Sequence, residues 1–194
     1  MKIIAIRHGQ TQWNLKGLFQ GHRDSPLTMA GIQNIQKVAA FLSKTETIDC
    51  IVSSDLGRTL ETAIIIAQLL QVPLTEANPL FRERCFGLAE GLSFSSIVQM
   101  WPSAMDELNL RTIRFDKVPN AEKELEFMCR VDRGRKYLKK NYAERTVLLV
   151  THACVIEELQ KSHLSSHEEG GVVYSFLTPH TGMEEKWSLK QAST

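Results

Sequence analysis

Short apolar runs recur along the chain, each too brief for a membrane span and each dominated by β-branched and aliphatic residues. Such runs are typical of strands that are buried on both faces of a parallel sheet. The pattern predicts strands at residues 3–6, 50–52, 72–75, 146–150 and 172–177, of which 146–150 is the strongest.

Apolar residues at helical spacing fill much of the sequence between these runs. Thr28 is placed as an N-cap, and Ser53-Ser54-Asp55 offers cap residues for the helix after the second strand. The predicted helices cover residues 29–42, 53–70, 93–100, 121–142 and 155–161. Residues 11–27 lack a period and are predicted to form a loop.

Strands that alternate with helices indicate an α/β fold, with a mainly parallel sheet covered by helices on both faces. We therefore expect a three-layer αβα sandwich. A length of 194 residues fits one domain, residues 1–194. Within it, residues 92–120 are expected to form a lid or insertion, and the tail after about residue 190 is expected to be loose.

Composition narrows the classes of function. Hydrophobic residues make up 43% and charged residues 23%, and the formal net charge is +1, so bulk charge favours neither a nucleic-acid nor a membrane partner. The four cysteines show no Cys-x-x-Cys spacing, which argues against zinc. The first apolar run is too short for a signal peptide, so a cytoplasmic protein with reduced thiols is expected.

Polar segments follow three of the predicted strands: Arg7-His8, the stretch from Ser53 to Arg58, and Thr151-His152. Ligands of open α/β sheets bind at the carboxyl ends of the strands, so these segments should meet. Arginine binds phosphate oxygens through forked donors, and imidazole serves as nucleophile, base or donor. This set indicates a phosphate site rather than a metal site, because the arginines would repel a cation.

The same residues stand in longer motifs. These are Arg7-His8-Gly9-Gln10-Thr11 with Asn14, and the stretches 21–31, 53–63, 81–91 and Val150-Thr151-His152. In this order they resemble the histidine phosphatase superfamily, the phosphoglycerate-mutase-like group, over about residues 1–160. The resemblance implies a phosphoglycerate-mutase-like fold and phosphoryl transfer without metal or cofactor.

The resemblance also implies residue roles. His8 would take the phosphoryl group on a ring nitrogen, and Glu83 would protonate the leaving oxygen and later accept a proton from water. The phosphate oxygens would be held by Arg7, Asn14, Arg58 and His152, while Gln20 and Gly21 would touch the substrate or its phosphate. Glu90 is the competing candidate for the acid.

The sequence departs from the family pattern after the second histidine, where Ala153 stands in place of the usual glycine. Alanine disfavours the positive φ that glycine permits, so His152 is expected to sit slightly differently. Residues 119–123 also differ from a Gly-Glu-Ser-like stretch of relatives. Cys85 and Cys154 lie near Glu83 and His152 in sequence, which raises two alternatives: a redox switch, or two small buried hydrophobes.

The leading prediction is a metal-independent phosphatase of a small phosphomonoester. The alternatives are a cofactor-dependent phosphoglycerate mutase, which is generally a longer chain, and a catalytically weak phosphate-binding regulatory module. The oligomeric state stays open, with a homodimer as one option. Apolar side chains of the predicted lid would either line the substrate pocket or pack the lid onto the domain; they are Phe94, Met100, Trp101, Met105, Leu108 and Phe115.

Overall fold

The computed structural model describes residues 1–106, 112–165, 172–176 and 190–191. Side chains are described for residues 1–106 and 112–161. Its sheet has the order β3-β2-β4-β1-β5-β6. All neighbouring strands are parallel except β5 and β6. The strands are β1 Lys2–Arg7, β2 Cys50–Ser53, β3 Leu74–Ala77, β4 Thr146–Thr151, β5 Val172–Phe176 and β6 Lys190–Gln191.

The described helices lie between these strands. They are α1 Gln12–Leu15, α2 Met29–Thr45, α3 Gly57–Leu70, α4 Phe94–Met100, α5 Glu124–Asn141 and α6 Ala153–Ser165. Four described 3-10 turns lie between β3 and α5: Pro79–Phe81, Gly87–Ala89, Pro102–Ala104 and Phe115–Lys117. In the part of the chain that the structure describes, no helix has the length and apolar character needed to cross a membrane.

Residues of β1 show that both faces of the sheet are covered. Ile3 and Ala5 pack in one apolar cluster with residues of α5 and α6, whereas Ile4 and Ile6 pack in another with residues of α2 and α3. This alternation follows from the two-residue period of a strand. The prediction of a three-layer α/β sandwich with a mainly parallel sheet is confirmed.

A third apolar cluster adjoins the first, since Cys154 packs against both. Its buried members come from residues 86–121, and Phe19 packs against it. The phenyl rings of Phe19, Phe86 and Phe115 meet here with centroids 4.2–5.5 Å apart. The segment predicted as a lid therefore has a core of its own.

Three predicted elements differ from the structure. The loop predicted at 11–27 contains α1, whose N-cap Thr11 and Asn14 form a capping box. The third strand begins at Leu74, after Pro73, which has no N–H for pairing. Beyond residue 190 the chain contributes Gln191 to β6, and residues 192–194 lie outside the described part.

Helix α3 also departs from the prediction. Its N-cap, Leu56, makes no side-chain hydrogen bond, so Ser53-Ser54-Asp55 does not cap it. Instead, the Asp24 carboxylate accepts hydrogen bonds from the main-chain N–H of Gly57 (2.7 Å) and Arg58 (3.3 Å). A side chain more than thirty positions away thus satisfies the first turn of α3.

Candidate active site

The sheet register brings the two histidine segments together. β1 and β4 are neighbours, with Arg7 opposite Thr151, and the His8 N–H donates to the carbonyl of Thr151 (3.0 Å). The rings of His8 and His152 lie with centroids 5.3 Å apart. The predicted convergence at the carboxyl end of the sheet is therefore present.

A cavity of ≈ 300 Å³ opens at this edge. Seven of the eight predicted site residues line it: Arg7, His8, Asn14, Gln20, Gly21, Arg58 and Glu83. The remaining wall is formed by Gly17, Leu18, Phe19, Phe86, Ala153 and Cys154. His152 does not line the cavity; it is fully buried behind the wall and contacts Arg58.

His8 is held in one tautomer. Its Nδ1 lies 2.7 Å from the carbonyl oxygen of Gly9, and since a carbonyl only accepts, Nδ1 carries the proton. In the neutral ring, Nε2 then has the lone pair that an imidazole nucleophile requires. His8 as a residue is 2% exposed, so the orientation of its ring is fixed by the protein rather than by water.

His152 is kept neutral by its surroundings. Burial, followed by the positive charge of Arg58, holds the pKa of His152 well below its ordinary value. Its Nδ1 accepts from Nη2 of Arg58 (3.1 Å), which requires Nε2 to carry the proton and to donate to Oγ of Ser54 (2.9 Å).

The guanidinium of Arg58 is anchored by four acceptors. Nη1 donates to the carbonyl of Arg23 and to Asp24, and Nη2 donates to the carbonyl of Gly21 and to His152, all within 2.8–3.1 Å. A guanidinium has five N–H groups, so only Nε–H is left for a ligand. Gly21 sits at φ +56°, and a Cβ there would collide with the Glu90 side chain, so this loop requires glycine.

Unmet hydrogen-bonding groups concentrate at the cavity. In the described part of the chain, the buried side-chain N and O atoms without a partner are Arg7 Nε, Arg58 Nε and Gln20 Oε1. Burial lowers the pKa of Arg7 and of Arg58, yet a guanidinium stays charged under ordinary conditions. An orphaned buried N–H costs roughly 1–3 kcal/mol, so both arginines favour an acceptor such as a phosphate oxygen.

Geometry separates the two candidate acids. The Glu83 side chain lines the cavity, and its Oε1 accepts from the main-chain N–H of Arg84 (3.0 Å). The Glu90 carboxylate does not line the cavity; it accepts from the main-chain N–H of His22, Arg23 and Phe86. Glu90 therefore ties two loops together, and Glu83 alone of the pair faces the space where a leaving group would lie.

The apolar wall of the cavity comes from residues that the sequence interpretation did not select. Leu18, Phe19 and Phe86 line it. Of the predicted lid residues, Phe94, Trp101 and Phe115 pack into the third apolar cluster, Met100 is exposed, and Leu108 lies outside the described residues. For those three aromatic residues, packing of the lid is the alternative that the structure favours.

Ala153 produces no backbone strain. It is the first residue of α6 and is not among the non-glycine residues with positive φ, so the family's glycine is not needed for conformation here. Burial raises the pKa of the Cys85 and Cys154 thiols, which opposes thiolate formation and the redox alternative. All four cysteines are free thiols.

Several residues that organise the site were missed. Asp24 holds Arg58, Thr62 accepts from the main-chain N–H of Gly9 (3.0 Å), and His22 and Arg130 contact the carbonyl of Glu83. Asp24 and Thr62 lie inside recognised motifs, which is a signal that could have found them. Arg130 stands in a basic helix and carries no such signal.

Comparison with known proteins gives a consistent result. The sequence profile described as histidine phosphatase superfamily (branch 1) matches residues 3–171. The chain is 29% identical over 191 residues to the uncharacterized phosphatase PhoE of Bacillus subtilis (strain 168), covering 97% of this chain and 92% of that protein. It is 36% identical over 165 residues to phosphoglycerate mutase-like protein 4 of Arabidopsis thaliana, covering 81% and 69%.

Among solved structures, YhfR of Bacillus stearothermophilus is similar, with a TM-score of 0.74 and 29% identity. The match covers 86% of this chain and 81% of that one.

Proposed function

We propose that this chain, which belongs to the histidine phosphatase superfamily (branch 1), is a metal-independent phosphatase of small phosphomonoesters that works through a phosphohistidine. The observation that carries this proposal is that hydrogen-bond donors without an acceptor lie at the same cavity as a histidine whose tautomer suits a nucleophile. Arg7 Nε and Arg58 Nε are buried without an acceptor beside a His8 ring whose Nδ1 is committed to a carbonyl.

In the first step, the Nε2 lone pair of neutral His8 attacks phosphorus opposite the ester oxygen. An N–P bond forms, the P–O ester bond breaks, and protonated Glu83 gives its proton to the leaving alkoxide. Arg7 and Arg58 face the charge on the equatorial oxygens, which is where phosphoryl transfer gains most of its stabilisation. Asn14 faces the same cavity, and contacts of Gln20, Gly21 and His152 with phosphate stay predictions.

In the second step, water attacks the phosphorus of phosphohistidine. The Glu83 carboxylate takes a proton from that water, an O–P bond forms, and the N–P bond breaks. His8 returns to its neutral tautomer and Glu83 is again protonated, so the cycle closes without another reactant.

Metal independence is supported by the electrostatics of the cavity. Its charged lining is two arginines and one carboxylate, and this balance favours an anion over a cation. Across the residues whose side chains are described, no three His, Cys, Asp or Glu residues gather in a group that could hold a metal ion.

The cavity also suggests the kind of alcohol. Leu18, Phe19 and Phe86 form an apolar wall beyond the phosphate-facing residues. Such a wall suits a phosphorylated alcohol with an apolar or ring-bearing body. A cytoplasmic location remains a prediction that the free thiols fit.

The test is a screen of phosphomonoesters in chelator with the wild type, His8→Ala and Glu83→Gln. Removing the nucleophile should abolish turnover, and removing the acid should lower kcat roughly 10²–10⁴-fold for alkyl esters. Glu61→Gln is the matched control, because Glu61 is exposed on α3. Turnover that requires added metal, or that survives His8→Ala, overturns the proposal.

A mutase is the second candidate, favoured by the name of the Arabidopsis relative. It predicts isomerisation of 3-phosphoglycerate stimulated by 2,3-bisphosphoglycerate. Release of phosphate without isomerisation rejects it. The regulatory-module alternative loses its support, since Ala153 does not adopt the positive φ that would require glycine.

A further inference from the structure

Glu83 lies in a segment that has no regular structure to hold it. The segment follows the turn Pro79–Phe81 and precedes the turn Gly87–Ala89. Glu83 nevertheless must keep its carboxylate at one point of the cavity for an acid step to work, because misplacement by about 1 Å can cost roughly 10²-fold in rate. Something outside the segment has to fix it.

Arg130 of α5 makes three of the contacts that do so. Its Nη1 donates to the carbonyls of Leu80 (3.0 Å) and Arg82 (2.8 Å), and its Nη2 donates to the carbonyl of Glu83 (3.2 Å). One guanidinium thus binds one carbonyl of the preceding turn and two of the segment that carries the acid.

Glu122 in turn fixes Arg130. Its two carboxylate oxygens accept from Nε (2.8 Å) and Nη2 (2.7 Å) of Arg130, a bidentate pair, and Oε2 also accepts from the main-chain N–H of Cys85 (3.3 Å). Burial alone would raise the pKa of Glu122, but hydrogen bonds and charge from Arg130 outweigh it and lower that pKa. The Glu122–Arg130 pair is therefore ionised, and its two hydrogen bonds fix the orientation of the guanidinium.

One peptide group links this pair to the acid. The carbonyl of Glu83 accepts from Arg130 and from Nε2 of His22 (2.9 Å). The N–H at the other end of the same peptide, that of Arg84, donates to Oε1 of Glu83 (3.0 Å). Because a peptide group is planar, holding its oxygen also aims its N–H, and the N–H holds the carboxylate.

We propose that Arg130, fixed by Glu122, is a positioning residue for the acid step: it sets the plane of the Glu83–Arg84 peptide and through it the direction of the Glu83 carboxylate. This inference rests on the proposed function for its kinetic consequence. Its structural part, the aim of the peptide, stands apart from activity.

The kinetic test compares two leaving groups. An alkoxide needs a proton as it leaves, whereas 4-nitrophenolate leaves well without one. In Arg130→Lys or Glu122→Gln, kcat/KM for an alkyl phosphate such as 2-phenylethyl phosphate should fall roughly 10²-fold. The value for 4-nitrophenyl phosphate should change little. Arg133→Lys is the control, since Arg133 is exposed on the same helix.

Equal losses for both esters would overturn the inference, because they would indicate a general structural defect. The double variant should lose no more than Arg130→Lys alone, as residues that act as one unit are not additive. If Arg130→Lys does not fold, Glu122→Gln gives the same comparison.

A second measurement does not depend on turnover. Amide hydrogen exchange of Arg84 should accelerate in Arg130→Lys and Glu122→Gln but not in Arg133→Lys. Unchanged exchange at Arg84 overturns the inference even if the protein proves inactive as a phosphatase. Lack of phosphatase activity in the wild type overturns only the proposed function.

Discussion

His152 is a fully buried imidazole placed against a guanidinium. Its low pKa has burial as the main cause and the Arg58 charge as the next. The unfolded chain has no such environment, so its histidine takes up a proton near the ordinary value of 6.5. Folding therefore excludes a proton at this residue under mildly acidic conditions.

The sign of the resulting pH dependence follows from linkage. Below about pH 6.5 the unfolded state binds the proton that the folded state refuses, so the free energy of unfolding falls by up to about 1.4 kcal/mol per pH unit from this group. We expect the slope of stability against pH between about 5 and 6.5 to be smaller in His152→Asn than in the wild type. Urea unfolding at several pH values measures it, and equal slopes would contradict the assignment.

At the scale of the element, α3 is notable because its start depends on another part of the chain. Leu56 provides no side-chain acceptor, and the Asp24 carboxylate binds both Gly57 N–H and the Arg58 side chain. The Asp24 carboxylate thus caps α3 and also orients Arg58, which α3 places at the cavity. The loop before α2 and the first turn of α3 cannot be treated separately.

Asp24→Ala should therefore weaken both stability and activity. Loss of the cap should lower the free energy of unfolding by about 1–2 kcal/mol, and kcat/KM should fall because Arg58 loses an anchor. Asp24→Asn, which keeps an acceptor, should lie between. Asp132→Ala on α5 is the control, since Asp132 pairs with Arg135 and Lys136 of its own helix and does not line the cavity. A loss of stability with unchanged kcat/KM would show that Asp24 caps α3 but is not needed to position Arg58.

The same elements show how far sequence reasoning reaches. The runs at residues 3–6 and 146–150 could be predicted because central parallel strands are buried on both faces and are apolar throughout. The start of α3 could not be predicted in the same way, because the residue that caps it, Asp24, is remote in sequence. Arg130 looks like the other basic residues of α5, and only the fold shows that it binds carbonyls of residues 80–83.

At the scale of the whole molecule, the charged groups of the cavity lower the stability of the folded protein. Arg7 and Arg58 each place in the cavity a buried Nε–H group that has no hydrogen-bond acceptor within the protein. Functional sites commonly carry such costs, which a bound ligand relieves. Ligand binding and global stability are therefore coupled in this protein.

Arg7→Met should reveal this coupling. Without phosphate, the variant should be as stable as the wild type or more so, because a buried charge is removed. With phosphate or vanadate at about a hundred times its Kd, the wild type should gain about 2.7 kcal/mol and the variant little. Thermal unfolding with and without the anion measures both, with Arg133→Met as the surface control. Full stabilisation of Arg7→Met by phosphate would contradict the role given to Arg7.

The strand order has a consequence for how the protein is made. β4 lies between β1 and β2, so the strand that ends at Arg7 and the strand that precedes Arg58 never pair with each other. During synthesis, the first hundred and more residues leave the ribosome with two apolar strands that lack their shared neighbour. Only when residues 146–151 emerge can the sheet close and bring His8 to Arg58. Chains interrupted before that point would carry most of the proposed catalytic groups yet expose open strand edges, and chaperones or proteases would decide their fate.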